Sequence, residues 1–220
     1  MEAQNGTDLL VCHISGMPGS GKSFFGSFLK KAIYGISVVD TDTLIEHDTI
    51  NGNILKALEE RTDDPDGVIY DTAWRKIFGT EIEHVIESQT QKTPPPHMLV
   101  FVGILDHFGH KSAPVEIPRA QFKFYMDVPA DLWLYRFYSR LSTIPYKDDY
   151  WRHAAGMIKH SWDIPGSKEL LVDAINTKEW HVAHGYEALH TELILMRIST
   201  LLKIDAQDLL GQWTSFQLCQ

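Results

Sequence analysis

Gly16-Met17-Pro18-Gly19-Ser20-Gly21-Lys22-Ser23 places four glycine, lysine and serine positions at the spacing G-x-x-x-x-G-K-[ST]. That spacing suits one kind of chemistry. The backbone N–H groups of such a turn, together with the first N–H groups of a following helix, surround an anion, and glycine lets the backbone approach it without a Cβ in the way. The lysine then reaches the β- and γ-phosphates of a nucleoside triphosphate, and the last hydroxyl ligates Mg²⁺. Gly16, Pro18, Gly19, Ser20, Gly21, Lys22 and Ser23 are therefore the candidate ATP-binding residues, with Lys22 also catalytic and Ser23 also a metal ligand. A glycine turn that binds nothing is the bland alternative. The flanks speak against it, because the motif requires a strand before it and a helix after it. Leu9 to Ile14 reads as a buried strand, and Phe24, Phe25, Phe28 and Leu29 follow at helical spacing.

Further along, Asp40-Thr41-Asp42 closes a short β-branched run, Ile36-Ser37-Val38-Val39. A carboxylate beside a transferred phosphoryl group can orient an attacking hydroxyl, accept its proton, or hold Mg²⁺. Asp42 or Thr43 equally stands where a helix N-cap belongs. Arg136 and Arg140 share one helix face at i, i+4 and are candidates to neutralise phosphate charge; solvated surface arginines would look the same. Asp106 lies just past an apolar strand, but at an unusual offset for a metal carboxylate. His107 and His110 lack a third ligand at zinc spacing, so no zinc site is expected. The aromatic runs around Tyr125 and Trp133 suit core packing better than base stacking.

The elements that would hold these residues alternate between strand and helix, the pattern of a parallel sheet covered on both faces. Expected strands are 9–14, 36–39, 98–105 and 122–127, with Trp180–His184 as a weaker one. Expected helices begin at Ser23, Thr43, Asp71 or Thr72, Pro129 and Ser167, and closing helices cover 187–202 and 205–210. Pro94-Pro95-Pro96 stops the third of these. Residues 142–166 are polar and aromatic and read as a lid. The expectation is one domain over 1–220, a three-layer α/β/α fold with about five mainly parallel strands.

The loop, the acidic end of strand two and this element order resemble the small P-loop kinases: shikimate, gluconate, nucleoside and nucleotide kinases. Val39-Asp40-Thr41-Asp42-Thr43-Leu44-Ile45-Glu46 is most similar to shikimate kinase, where an Asp-x-Asp pair closes the corresponding strand. The resemblance implies that Asp40 is catalytic or metal-shell and that Asp42 anchors substrate. It also implies a substrate role for Arg75 and for the turn at Gly103, and a catalytic one for Arg140 beside an ATP-binding Arg136. Two features depart from that family. Gly103 is followed by Ile104-Leu105 instead of a run of glycines, and Tyr138-Ser139-Arg140-Leu141 replaces the arginine-proline signature of its lid.

Composition narrows the partners. The chain has 220 residues, 44% hydrophobic and 22% charged, enough for one proper core. Its 20 basic against 29 acidic residues give −9, which disfavours a long nucleic-acid substrate but not a small basic pocket. Two cysteines make no disulfide framework, and neither a signal peptide nor a membrane-length apolar run is seen, so a cytoplasmic protein without membrane contact is expected. The first functional reading is phosphotransfer from ATP, with Mg²⁺, to a small-molecule hydroxyl or to a nucleoside or nucleotide. A polynucleotide or toxin-like sugar-nucleotide kinase, an NTPase, and a non-catalytic nucleotide-binding module stay open, as does the oligomeric state. An NTPase switch needs an acidic residue directly after its third strand, whereas Val100-Phe101-Val102 runs into Gly103.

Overall fold

The apolar run that precedes the glycine loop forms the middle of a sheet. In the computed structural model, which describes residues 9–17, 19–45, 68–103, 117–133, 135–136 and 167–219, the elements are β1 (Leu10–Ser15), α1 (Lys22–Ala32), β2 (Ile36–Asp40), α2 (Thr41–Ile45), α3 (Val68–Thr90), β3 (Met98–Val102), β4 (Phe122–Met126), α4 (Ser167–Ala183), β5 (Glu187–Leu189), α5 (Thr191–Leu202) and α6 (Ala206–Leu218). The sheet order is β2-β3-β1-β4-β5, and every neighbouring pair is parallel. Helices cover both faces, giving the expected three-layer α/β/α architecture. Among the described residues, no helix is long and apolar enough to cross a membrane.

Strand periodicity sorts the core. Cys12 and Ile14 of β1, Met98, Val100 and Val102 of β3, and Phe124 and Met126 of β4 point to one side, against α1, α5 and α6. Val11, Leu99 and Phe101 point to the other, where Ile82 and Ile86 of α3 meet them. α6 closes the first layer. Asp205 caps it, its carboxylate accepting from Gln207 N–H at 2.7 Å and Asp208 N–H at 3.1 Å, as the sequence indicated. Trp213 is then set among Phe24, Phe25 and Phe28 of α1, with ring centroids 5.0 to 5.5 Å away.

Four local expectations are corrected. Trp180–His184 is not a strand: residues through Ala183 belong to α4. The helix ends there because Gly185 takes φ 83, Gly185 N–H donates to Val182 C=O, and Tyr186 N–H donates to His181 C=O, a Schellman stop. Glu187–Leu189 is not helical but a three-residue edge strand, too short to show any period. α2 begins at Thr41 instead of Thr43, so Asp42 lies in its first turn and not at a cap; Thr43 Oγ1 donates back to Asp40 C=O at 2.6 Å. α3 begins at Val68, which puts Asp71 inside the helix. The expected lid, 142–166, lies outside the described residues.

Trp213→Ala should destabilise the protein by about 3–5 kcal/mol in denaturant unfolding. Trp213→Phe, which removes a buried Nε1–H that has no partner among the described residues, should cost much less. Equal, small effects would mean that α6 does not seal this layer.

Candidate functional site

β1 delivers the glycine loop to the carboxyl edge of the sheet, where its direction is decided by topology. The chain leaves β1 toward β2 on one side, while the chain leaving the neighbouring β4 goes to β5 on the other. Ligands of open parallel sheets sit in the crevice at such a reversal. Gly19 and Gly21 turn the loop with φ 82 and 96, left-handed values that glycine adopts without strain. The Met17 carbonyl receives two donors, Ser20 N–H at 3.0 Å and Lys22 Nζ at 2.9 Å, so the ammonium is held over the loop. From the helical residues after β4, Arg136 Nη1 donates to Ser20 C=O at 3.2 Å. Two of the predicted cations therefore lie on one turn.

The loop fits an anion. Helix geometry leaves the first N–H groups of α1 without intrahelical partners. Ser20 Oγ is buried inside the turn and has no hydrogen-bond partner among the described residues, an arrangement that a phosphate oxygen would complete. Ser23 is exposed beside it. Asp40 ends β2 in the same row as Val102 of β3 and Ile14 of β1, two strand spacings or roughly 10 Å from the base of the loop. Mg²⁺ commonly takes only one or two protein ligands beside phosphate and water, so Ser23 and Asp40 are of the right type and number. Among the described residues there is no cluster of three or more His, Cys, Asp or Glu suited to a metal.

Gly103, the residue expected on the pocket floor, takes φ 146, and a Cβ there would lie 1.8 Å from Thr41 Oγ1. Thr41 is fully buried and its hydroxyl has no partner among the described residues; the middle residue of Asp40-Thr41-Asp42 fills the space that Gly103 leaves. Thr41, the first residue of α2, therefore stands where a side chain on residue 103 would begin. Arg75 lies on α3 and Asp42 on α2, with their side chains outside the described set. Pro18, Arg140, Asp106, His107 and His110 also lie outside the described residues. Tyr125 and Trp133 pack with Met17 and Tyr186, the core role expected for both aromatics.

The structure adds a polar layer that sequence reasoning did not single out. His13 and Ser15, on the second face of β1, are 1% and 0% exposed. His13 Nε2–H donates to Gly103 C=O at 3.1 Å, which leaves Nδ1 to accept from the Tyr186 hydroxyl at 2.7 Å. His181 Nδ1–H donates to Thr177 C=O at 2.7 Å, which leaves Nε2 to accept from Ser15 Oγ–H at 2.8 Å. Carbonyls accept only, so both tautomers are fixed. Burial, with Lys22 and other nearby cations, lowers His13 to about 3; burial, with His184 and Lys22, lowers His181 to about 4. Both imidazoles are neutral at physiological pH. The signal in sequence was faint: two polar residues at period two inside an otherwise apolar strand.

No protein-family model and no curated protein matches the chain. Among solved structures, it is similar to shikimate kinase from Acinetobacter baumannii in complex with shikimate, with 14% identity and a TM-score of 0.50 over 90% of this chain and 95% of that one. Shikimate kinase from Bacteroides thetaiotaomicron matches with 14% identity over 89% of this chain and 99% of that one, at a TM-score of 0.49. TT1252 from Thermus thermophilus matches with 19% identity over 81% of this chain and 99% of that one, at 0.42. The first likeness is one of fold, and it agrees with the distant P-loop kinase resemblance of the motifs.

Two expectations follow from this geometry. Gly103→Ala should unfold or strongly destabilise the protein, and Thr41→Gly should recover part of that loss in the double variant, because the clash is with Thr41; no recovery would place the whole cost in backbone strain. Separately, the unfolded chain binds protons at His13 and His181 below about pH 6.5, while the native state refuses them until about pH 3–4. Stability should therefore fall by about 2 kcal/mol per imidazole between pH 7.5 and 5. Denaturant unfolding at the two pH values measures it, and His181→Gln should shrink the difference.

Proposed function

We propose that the protein is an ATP-dependent phosphotransferase acting on a small-molecule hydroxyl or on a nucleoside or nucleotide. The observation that carries this is the convergence, on one glycine turn at the switch point of a parallel sheet, of Lys22, Arg136 and a Ser20 hydroxyl that has no partner among the described residues. The P-loop kinase likeness of the fold supports it.

In this reading the loop N–H groups and Ser20 hold the β- and γ-phosphates, and Lys22 leaves the Met17 carbonyl to follow the developing charge. Arg136 binds ATP beside Gly21, and Arg140 stabilises the transferred phosphoryl. Mg²⁺, held by Ser23 and Asp40, would offset charge between the phosphates. The acceptor oxygen attacks Pγ, the bond from Pγ to the bridging oxygen breaks, ADP departs, and the acceptor proton passes to Asp40. Asp42, Arg75 and Gly103 form the acceptor side. Shikimate, bound in the Acinetobacter baumannii structure, belongs in any acceptor panel. The altered Gly103 turn argues for testing beyond it. The protein would act on these small molecules in the cytoplasm, without nucleic-acid or membrane partners.

The test is transfer of labelled γ-phosphate from ATP with Mg²⁺ to nucleosides, nucleoside monophosphates, shikimate, gluconate and 5′-hydroxyl oligonucleotides. A labelled small product is expected, and free phosphate alone or no turnover overturns the transferase reading. Lys22→Ala should reduce transfer at least ~100-fold without changing thermal unfolding. Asp40→Asn should lower kcat about 100- to 10,000-fold with ATP affinity nearly intact; loss of affinity alone would limit Asp40 to nucleotide and metal binding and remove it from the proton transfer.

A further inference from the structure

We propose that His181 and His13, with Ser15 and Tyr186, are positioning residues of the phosphate site: two directed hydrogen-bond chains brace the glycine loop and the Gly103 turn from beneath. The inference rests on the nucleotide-binding reading above.

Three observations carry it. All four side chains are at least nine-tenths buried, on a sheet face where Val11, Leu99 and Phe101 show that apolar packing is the ordinary solution. Buried polar groups weaken a core unless each is matched, and here each imidazole has a partner at both nitrogens. Second, the chains end on the rims of the site. Ser15 is bonded directly to Gly16, the first residue of the glycine loop, and His13 holds the carbonyl of Gly103, whose own N–H donates to Ile14 C=O at 3.2 Å. Gly103 is thus tied to β1 at both its amide and its carbonyl. Third, both chains are anchored in the same short segment beyond the sheet, because Tyr186 N–H donates to His181 C=O at 3.0 Å and the two rings meet edge to face at 4.8 Å. The Schellman stop at Gly185 therefore sets both anchors at once.

Such a brace does not touch phosphate. Its effect is to keep the loop in one geometry, so that binding an anion does not require ordering it first. Neutral imidazoles suit this position, since a protonated ring would add positive charge beside Lys22 and also face Lys123 and His184.

The experiment measures Mg-ATP and inorganic tripolyphosphate affinity by calorimetry, with thermal unfolding alongside, for wild type, Ser15→Ala, His181→Leu, His181→Gln and Ser15→Ala/His181→Leu. Ser15→Ala and His181→Leu should each weaken both ligands roughly tenfold. His181→Gln, whose side-chain oxygen can accept from Ser15, should bind within about threefold of wild type. The double variant should be no worse than the weaker single one. Affinities unchanged in folded variants whose unfolding temperature drops would overturn the proposal and leave the nucleotide reading standing. Wild type that binds neither ligand would overturn both. If His181→Leu does not fold, Ser15→Ala, which removes a single oxygen atom, decides the matter with Tyr186→Phe as the parallel test of the second chain.

Discussion

β1 is hydrogen-bonded along both edges and covered on both faces, so every polar atom it carries must be met from inside the protein. This constraint organises the molecule. On one face the demand is absent, because Cys12 and Ile14 simply pack against α1, α5 and α6, and burial there only pushes the Cys12 thiol up. On the other face His13 and Ser15 must find partners, and these are Gly103 C=O from the end of β3 and, from far along the chain, Tyr186 and His181. The only covalent exit for the strand is the glycine loop, which inherits its position from that packing.

The carboxyl edge of the sheet shows the same economy of space. Met17 C=O collects the Ser20 amide and the Lys22 ammonium, Ser20 C=O takes Arg136, and Thr41 fills the volume that Gly103 vacates. The Met17 contacts are local to the loop after β1, whereas the Arg136 and Thr41 contacts join it and Gly103 to elements from elsewhere in the chain. At this edge Ser23 stands exposed, while Lys22 and Arg136 gather their charge on one turn. The acidic surface implied by the −9 balance does not prevent this, because a local cluster of cations and helix N–H groups dominates the field close to an anion.

The sequence was sufficient wherever local chemistry is sufficient. Phosphate loops work through backbone conformation, and glycine at 16, 19 and 21 with Lys22 and Ser23 specifies that conformation and its cation within eight residues. Asp205 as a cap, Pro129 at a helix start and the double-sided apolar β3 were legible for the same reason: the forces involved act within one or two turns. The alternation of elements then admitted a parallel three-layer sheet. Where signals shortened, they misled. Trp180–His184 reads as a weak strand, but it closes a helix that stops at Gly185, and a three-residue β5 carries no period at all.

Only the tertiary structure decided which distant residues meet. His13 lies 173 positions from Tyr186, and Ser15 lies 166 from His181. No pattern in the chain announces those pairs, because a histidine's partner is set by sheet order and helix docking and not by spacing. The same holds for Thr41 against Gly103 and for Arg136 on Ser20 C=O. The sequence by itself determined that a glycine turn with phosphate-loop spacing exists and what residues make it, since backbone torsions and residue types are local properties. The tertiary structure determined how that turn is held and which carboxylate, threonine and arginine stand around it, since long-range contacts depend on packing that local sequence does not encode.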